Sequence, residues 1–142
     1  MFQINDHIHT VQYYETDKMG VTHHSNYIRW MEEARVSFLE QIGWDYVRLE
    51  EMGLVSPVIS LSCDYKHPTR FSDKVYVHVE VEELKSVSIR FSYTMKDQDG
   101  NTVFTGSSLH AFFDTEGKPL KVKKEHPDLF GTHSSLVRPG TE

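Results

Sequence analysis

The sequence has a single cysteine, Cys63, in 142 residues. No intramolecular disulfide can form, which fits a reducing compartment. Cys63 lies in a stretch of alternating apolar residues and reads as a structural thiol rather than a nucleophile. Neither a Cys-x-x-Cys nor a His-Glu-x-x-His spacing occurs, so no metal site is expected. No apolar run approaches the ~20 residues that span a bilayer. Met1 to Asp6 lacks the basic region and apolar stretch of a signal peptide, and a cytoplasmic protein is expected. Positive charge is in deficit, with 15 Lys and Arg against 21 Asp and Glu for a net −6. That balance argues against nucleic acid as a partner, because phosphate binding wants a basic face. The exception is a cluster of Lys118, Lys121, Lys123 and Lys124, either a solvated tail or a contact for a phosphorylated group. Repeats, linkers and low-complexity tracts are also missing. The chain reads as one domain over 1–142, with its core at about 7–124 and a weakly patterned tail at 125–142.

What is present is a change of period. Ile8 to Tyr14 alternates, is rich in β-formers and reads as a strand. From about Ser25 to Ile42, Tyr27, Trp30, Met31, Ala34, Phe38 and Ile42 recur every three or four residues, the stripe of one long helix. Ser25 or Asn26 is placed to cap its start and Gly43 to end it. Trp44 to Gly53 holds a short helical turn at most. Val58 to Lys66 then reads as a strand. Val75, Val77, Val79 and Val81 alternate with polar residues, as do Val87, Ile89, Phe91, Tyr93 and Met95. Val103 to Phe113 is a further strand. Asp97 to Asn101 is a hairpin turn, and Glu82 to Ser86 a looser reversal. A largely antiparallel meander wrapped over one helix is the economical way to bury these faces, an α+β fold. Such a sheet leaves exposed edges, so a homo-oligomer joined edge to edge is expected.

The chemistry concentrates between the first strand and the helix, in Asp17-Lys18-Met19-Gly20-Val21-Thr22-His23-His24-Ser25-Asn26-Tyr27. A carboxylate, a glycine turn and a helix amino terminus follow one another closely. A carboxylate serves as base or nucleophile, and backbone N–H groups at a helix start can hold a developing oxyanion. Taken alone, Asp17 is a loop acid, His24 and His23 are structural or solvated histidines, and Tyr27 is core.

The pattern Tyr13-Tyr14-Glu15-Thr16-Asp17-x-x-Gly20-Val21-x-x-His24-x-x-Tyr27, followed by Glu33-x-Arg35, resembles the hotdog-fold acyl-CoA thioesterases of the 4-hydroxybenzoyl-CoA thioesterase group. These include the small bacterial enzymes associated with the Tol-Pal system. Pro68, Val75 and Asp114-x-x-Gly117-Lys118-Pro119 also look like this group. The resemblance implies a five-stranded antiparallel sheet around a central helix, a homodimer or homotetramer with the site at the dimer interface, an acyl-CoA substrate and no separate cofactor. It maps the catalytic carboxylate onto Asp17, the glycine onto Gly20 and the carbonyl-polarising backbone onto Val21 to His24. It also maps a histidine onto His24 and an aromatic onto Tyr27. Many members have Asp at the position of Glu15 and Tyr at that of His23, so a second imidazole stands beside His24 here. Related families place the acid on the central helix, which makes Glu32 and Glu33 rivals to Asp17. In the simplest reading, Glu33 pairs with Arg29 on the helix surface. For the nucleotide phosphates the candidates are Arg70, Arg90, Lys66, Lys85 and Lys118 onward.

Two other functions fit the same residues. A hotdog hydratase or dehydratase would also use an acid and a histidine near the helix. A non-catalytic acyl-CoA-binding module would keep the pocket without the acid. Tyr27, Trp30, Met31, Val58 and Phe91 suit a fatty or an aromatic acyl pocket equally well.

Overall fold

One long helix, α1, runs from Ser25 to Gln41, as the spacing of its apolar side chains requires. The structure, a computed structural model, describes residues 3–138. Tyr27, Trp30, Met31, Ala34, Phe38 and Ile42 are buried, while Arg29, Glu32, Glu33 and Glu40 face solvent. The helix ends where expected. Gly43 takes a left-handed φ of 82° and donates its N–H to the Glu40 carbonyl. Its start differs from expectation. His24 holds the cap position, and its side chain makes no capping bond.

Five strands form one antiparallel sheet in the order β1-β3-β4-β5-β2. They are β1 (His7–Thr10), β2 (Val58–Tyr65), β3 (Lys74–Lys85), β4 (Ser88–Lys96) and β5 (Thr102–Ala111). The alternation read in β3 and β4 is their burial pattern. Val75, Val77, Val79, Val81, Ile89, Phe91, Tyr93 and Met95 all face the core. Asp97 to Asn101 makes the expected hairpin, with the Asp97 carboxylate accepting the N–H groups of Asp99 and Asn101.

Four local readings need correction. First, β1 stops at Thr10, and Tyr13–Glu15 is a 3-10 turn. The Glu15 carboxylate accepts the Gln12 N–H and the Trp30 indole N–H, which curls the chain inward and leaves Tyr13 and Tyr14 exposed. Second, β3 and β4 run on through a bulge at Val81/Glu83 to a tight turn at Ser86–Val87. Third, β2 does not adjoin β3 in a meander but pairs with β5 at the far edge. Fourth, two segments are more helical than their patterns suggest. Tyr46–Glu51 is a helix, α2, capped by Asp45. Val122–Glu125 (α3) and Pro127–Ser134 (α4) occupy much of the tail. Pro127 sits at the start of α4, where its missing N–H costs nothing. Residues 139–142 of that tail lie outside the described residues.

A polar chain crosses the core. Arg35 donates to the hydroxyls of Tyr46 at 2.8 Å and Tyr93 at 3.1 Å. The Tyr93 hydroxyl lies 2.6 Å from Ser108 Oγ, which lies 2.8 Å from His110 Nε2. His110 Nδ1 donates to the Ser56 carbonyl at 3.0 Å. Burial, aided by the Arg35 charge, pushes the His110 imidazole down from 6.5 to about 4. The unfolded chain therefore binds a proton more readily than the folded one between those values. Stability from the neutral ring is complete above pH 6.5 and is lost as pH falls to about 4. Urea denaturation should show a loss of roughly 2–3 kcal/mol across this window. The His110→Gln variant should lack that component.

Candidate active site

The segment after the 3-10 turn is a miniature hairpin. Thr16 and Thr22 form an isolated bridge, and the Asp17 N–H donates to the Val21 carbonyl at 2.8 Å. Gly20 closes the turn by donating to the Asp17 carbonyl at 2.9 Å, with φ at 78°. A side chain there would be strained, which explains glycine at this position. Asp17 Oδ1 accepts the Met19 N–H at 2.8 Å, an Asx turn that fixes the carboxylate. Among the described residues Oδ2 takes no hydrogen bond, and the side chain is half-buried.

The helix start carries the candidate donors. Of the four N–H groups from Val21 to His24, two are already used. Thr22 donates to the Thr69 carbonyl and His23 to the Glu15 carbonyl, each at 2.8 Å. Among the described residues, the N–H groups of Val21 and His24 have no hydrogen-bond acceptor. The backbone carbonyl of His24 accepts the Tyr65 hydroxyl at 3.0 Å. The His23 and His24 rings lie 4.2 Å apart, and His23 Nδ1 lies 2.9 Å from Ser25 Oγ.

Asp17, Val21, His24 and Tyr27 line one cleft of about 350 Å³, closed by Tyr65, Lys66, His67 and Pro68 from the end of β2 and beyond. Asp17 also borders a second cleft of about 900 Å³ that includes His23, Lys18 and Arg29. Asp17 thus stands on the ridge between two openings. Tyr27 is core as well as wall. Its hydroxyl lies 2.9 Å from Thr69 Oγ1, its ring stacks on Phe104 at 5.3 Å, and burial raises its phenol above the ordinary value.

Of the phosphate candidates, only Lys66 lines the Asp17 cleft. Arg70 is exposed on the loop after β2. Arg90 on β4 faces Glu82 at 3.7 Å. Lys118 is exposed in the turn after β5, its N–H held by Asp114. Lys85 pairs loosely with Glu83 at 3.9 Å. Sequence reading passed over Lys18 and Arg29, because nothing in their spacing marks them. Neither helix acid joins the site. Glu32 and Glu33 line a different cleft. Glu33 contacts His7 and His9 instead of Arg29, while Arg29 donates to Asn26.

A long helix on a five-stranded antiparallel sheet, with an acid loop feeding the helix start, is the hotdog arrangement. Residues 11–130 match the thioesterase-like superfamily, and the chain belongs to it as a thioester hydrolase. A DHNA-CoA thioesterase structure from Staphylococcus aureus superposes with a TM-score of 0.87 at 30% identity, covering 92% of this chain and 89% of that one. The Bacillus subtilis protein named "Putative acyl-CoA thioesterase YneP" is 32% identical over 119 residues, 83% of this chain and 86% of its own length. A 1,4-dihydroxy-2-naphthoyl-CoA hydrolase from Synechococcus sp. is 27% identical over 137 residues, 91% of this chain and 90% of its own length. No helix among the described residues is long and apolar enough to cross a membrane.

Proposed function

We propose that the protein hydrolyses acyl-CoA thioesters, with Asp17 as nucleophile or general base and the N–H groups of Val21 and His24 polarising the carbonyl. The observation that carries this reading is the shared cleft, lined by an anchored carboxylate and by two residues whose N–H groups have no acceptor among the described residues. In the nucleophilic route, Asp17 Oδ2 attacks the carbonyl carbon and the C–S bond breaks. The thiolate takes a proton from solvent, and water then cleaves the resulting mixed anhydride. In the general-base route, Asp17 takes a proton from water as the water attacks, and returns it to the departing thiolate. In both, negative charge grows on the carbonyl oxygen, and donors fixed beforehand stabilise it more than they stabilise the ground state. Lys66 in the cleft, and Lys18 and Arg29 beside it, are placed for the phosphates. Arg70, Arg90 and Lys118 remain candidates at a larger distance.

The motif from Tyr13 to Tyr27 supports the finer placement with the 4-hydroxybenzoyl-CoA thioesterase group and its small bacterial members. The names of two relatives favour an aromatic acyl group over a fatty one. A homodimer through β2 fits this reading, because the cleft borders that edge. A panel of acyl-CoA substrates followed with a thiol reagent tests the proposal. Stoichiometric thiol release, fastest with aryl substrates, is the expected result. Conversion of an enoyl-CoA without thiol release would assign a hydratase instead.

A further inference from the structure

We propose that His7, His9 and Glu33 form a binding site for a divalent transition-metal ion of the zinc type, separate from the Asp17 cleft. The sequence carries no contiguous metal motif, because the ligands come from a strand and a helix that only folding brings together. Alternation along β1 puts His7 and His9 on one face, and α1 lays Glu33 across them. Glu33 Oε1 lies 2.9 Å from His7 Nε2 and 3.0 Å from His9 Nδ1, and the three ligand atoms lie within 4.8 Å of one another. Tetrahedral zinc, with bonds of ~2.0–2.2 Å, separates its ligand atoms by roughly 3.3 Å. Outward shifts of a few tenths of an ångström would bring the two Glu33–histidine separations to that spacing. Glu33 is 42% exposed, which gives the ion an entry path and leaves a coordination position open to water.

The second observation is the far side of the His9 ring. Its Nε2 lies 2.8 Å from Oε1 of Glu15, a residue only 4% exposed. The Glu15 carboxylate already accepts the Gln12 N–H at 2.9 Å and the Trp30 indole N–H at 2.9 Å. Glu15 is therefore an acceptor, and His9 Nε2 must donate to it. In a neutral imidazole this leaves a bare lone pair on Nδ1, pointed at the Glu33 oxygen 3.0 Å away. Two lone pairs at that distance repel unless a cation lies between them. A buried carboxylate fixing the tautomer of a ligating histidine is the arrangement that orients metal-bound imidazoles. Two nitrogens and one carboxylate oxygen suit Zn²⁺, Ni²⁺, Co²⁺ or Cu²⁺ rather than Mg²⁺ or Ca²⁺. The competing occupant is a proton, which would make His9 an imidazolium between two carboxylates.

The test is calorimetric titration of the chelator-treated full chain with ZnCl₂, beside Glu33→Gln and His7→Gln, with folding checked by circular dichroism. The wild type should take up one equivalent that each variant binds more than ~100-fold more weakly. Long-range ¹H–¹⁵N correlation of the imidazole rings should show His9 metallated at Nδ1 with Nε2–H retained. Stoichiometric uptake equal in the wild type and a folded variant, or no uptake by the wild type, would overturn the proposal and leave the proton as the occupant.

Discussion

Substituting Asp17 by asparagine should lower thiol release from acyl-CoA by about 10³-fold, within the range a positioned acid or base contributes. The substitution keeps the shape of the side chain and an acceptor for the Met19 N–H, so the Asx turn and the fold should persist. What is lost is the charge and basicity at Oδ2, the oxygen without a hydrogen bond among the described residues. The loss should appear in kcat with little change in KM, because the carboxylate acts on the reacting carbonyl and not on the remote nucleotide. Glu32→Gln is the control. That acid lines another cleft and its loss should leave turnover near wild type. Near-normal hydrolysis by a folded Asp17→Asn variant would transfer the chemistry elsewhere.

If the proposed homodimer forms through β2, Leu61→Lys should leave the protein monomeric and remove most of its turnover. β2 is an edge strand whose inner face the helix leaves uncovered. Val58, Ile59, Leu61 and Tyr65 are 44%, 56%, 42% and 47% exposed, an unusual display for four apolar side chains on an eight-residue strand. An edge of that kind pairs with another strand unless a charge blocks it, and lysine is an effective block. The cleft holding Asp17 takes Tyr65, Lys66, His67 and Pro68 from the end of this strand and the loop after it, so a second copy paired there would border the site. Sedimentation velocity together with turnover checks both halves of the expectation. A fully active Leu61→Lys monomer would separate the site from the seam.

Much of this architecture was legible because it is local. The stripe from Tyr27 to Ile42 and the valines of β3 carry their period in the chain, and the Asp97–Asn101 turn carries its own residues. Asp17, Gly20, Val21 and His24 fall within eight positions, so their proximity needed no tertiary information. The position of β2 depended on which strand finds which partner, and spacing is silent about that. The 3-10 turn at Tyr13–Glu15 depended on Trp30, fifteen residues beyond Glu15. A β-rich composition therefore misled the reading there. The helices of the tail are short, and their apolar side chains dock on an already formed core, so they present little periodicity. The selection of Val21 and His24 as the open N–H groups was likewise hidden. It follows from Thr69 and the Glu15 carbonyl occupying the other two. The His7–His9–Glu33 cluster was invisible for the same reason.

The most direct test of the account is a crystal structure of the Asp17→Asn variant with an intact acyl-CoA bound. The account predicts the thioester oxygen within hydrogen-bond distance of both the Val21 and His24 N–H groups, with the residue-17 side chain facing the carbonyl carbon. A thioester lodged away from these two donors, for instance beside Glu32, would contradict it.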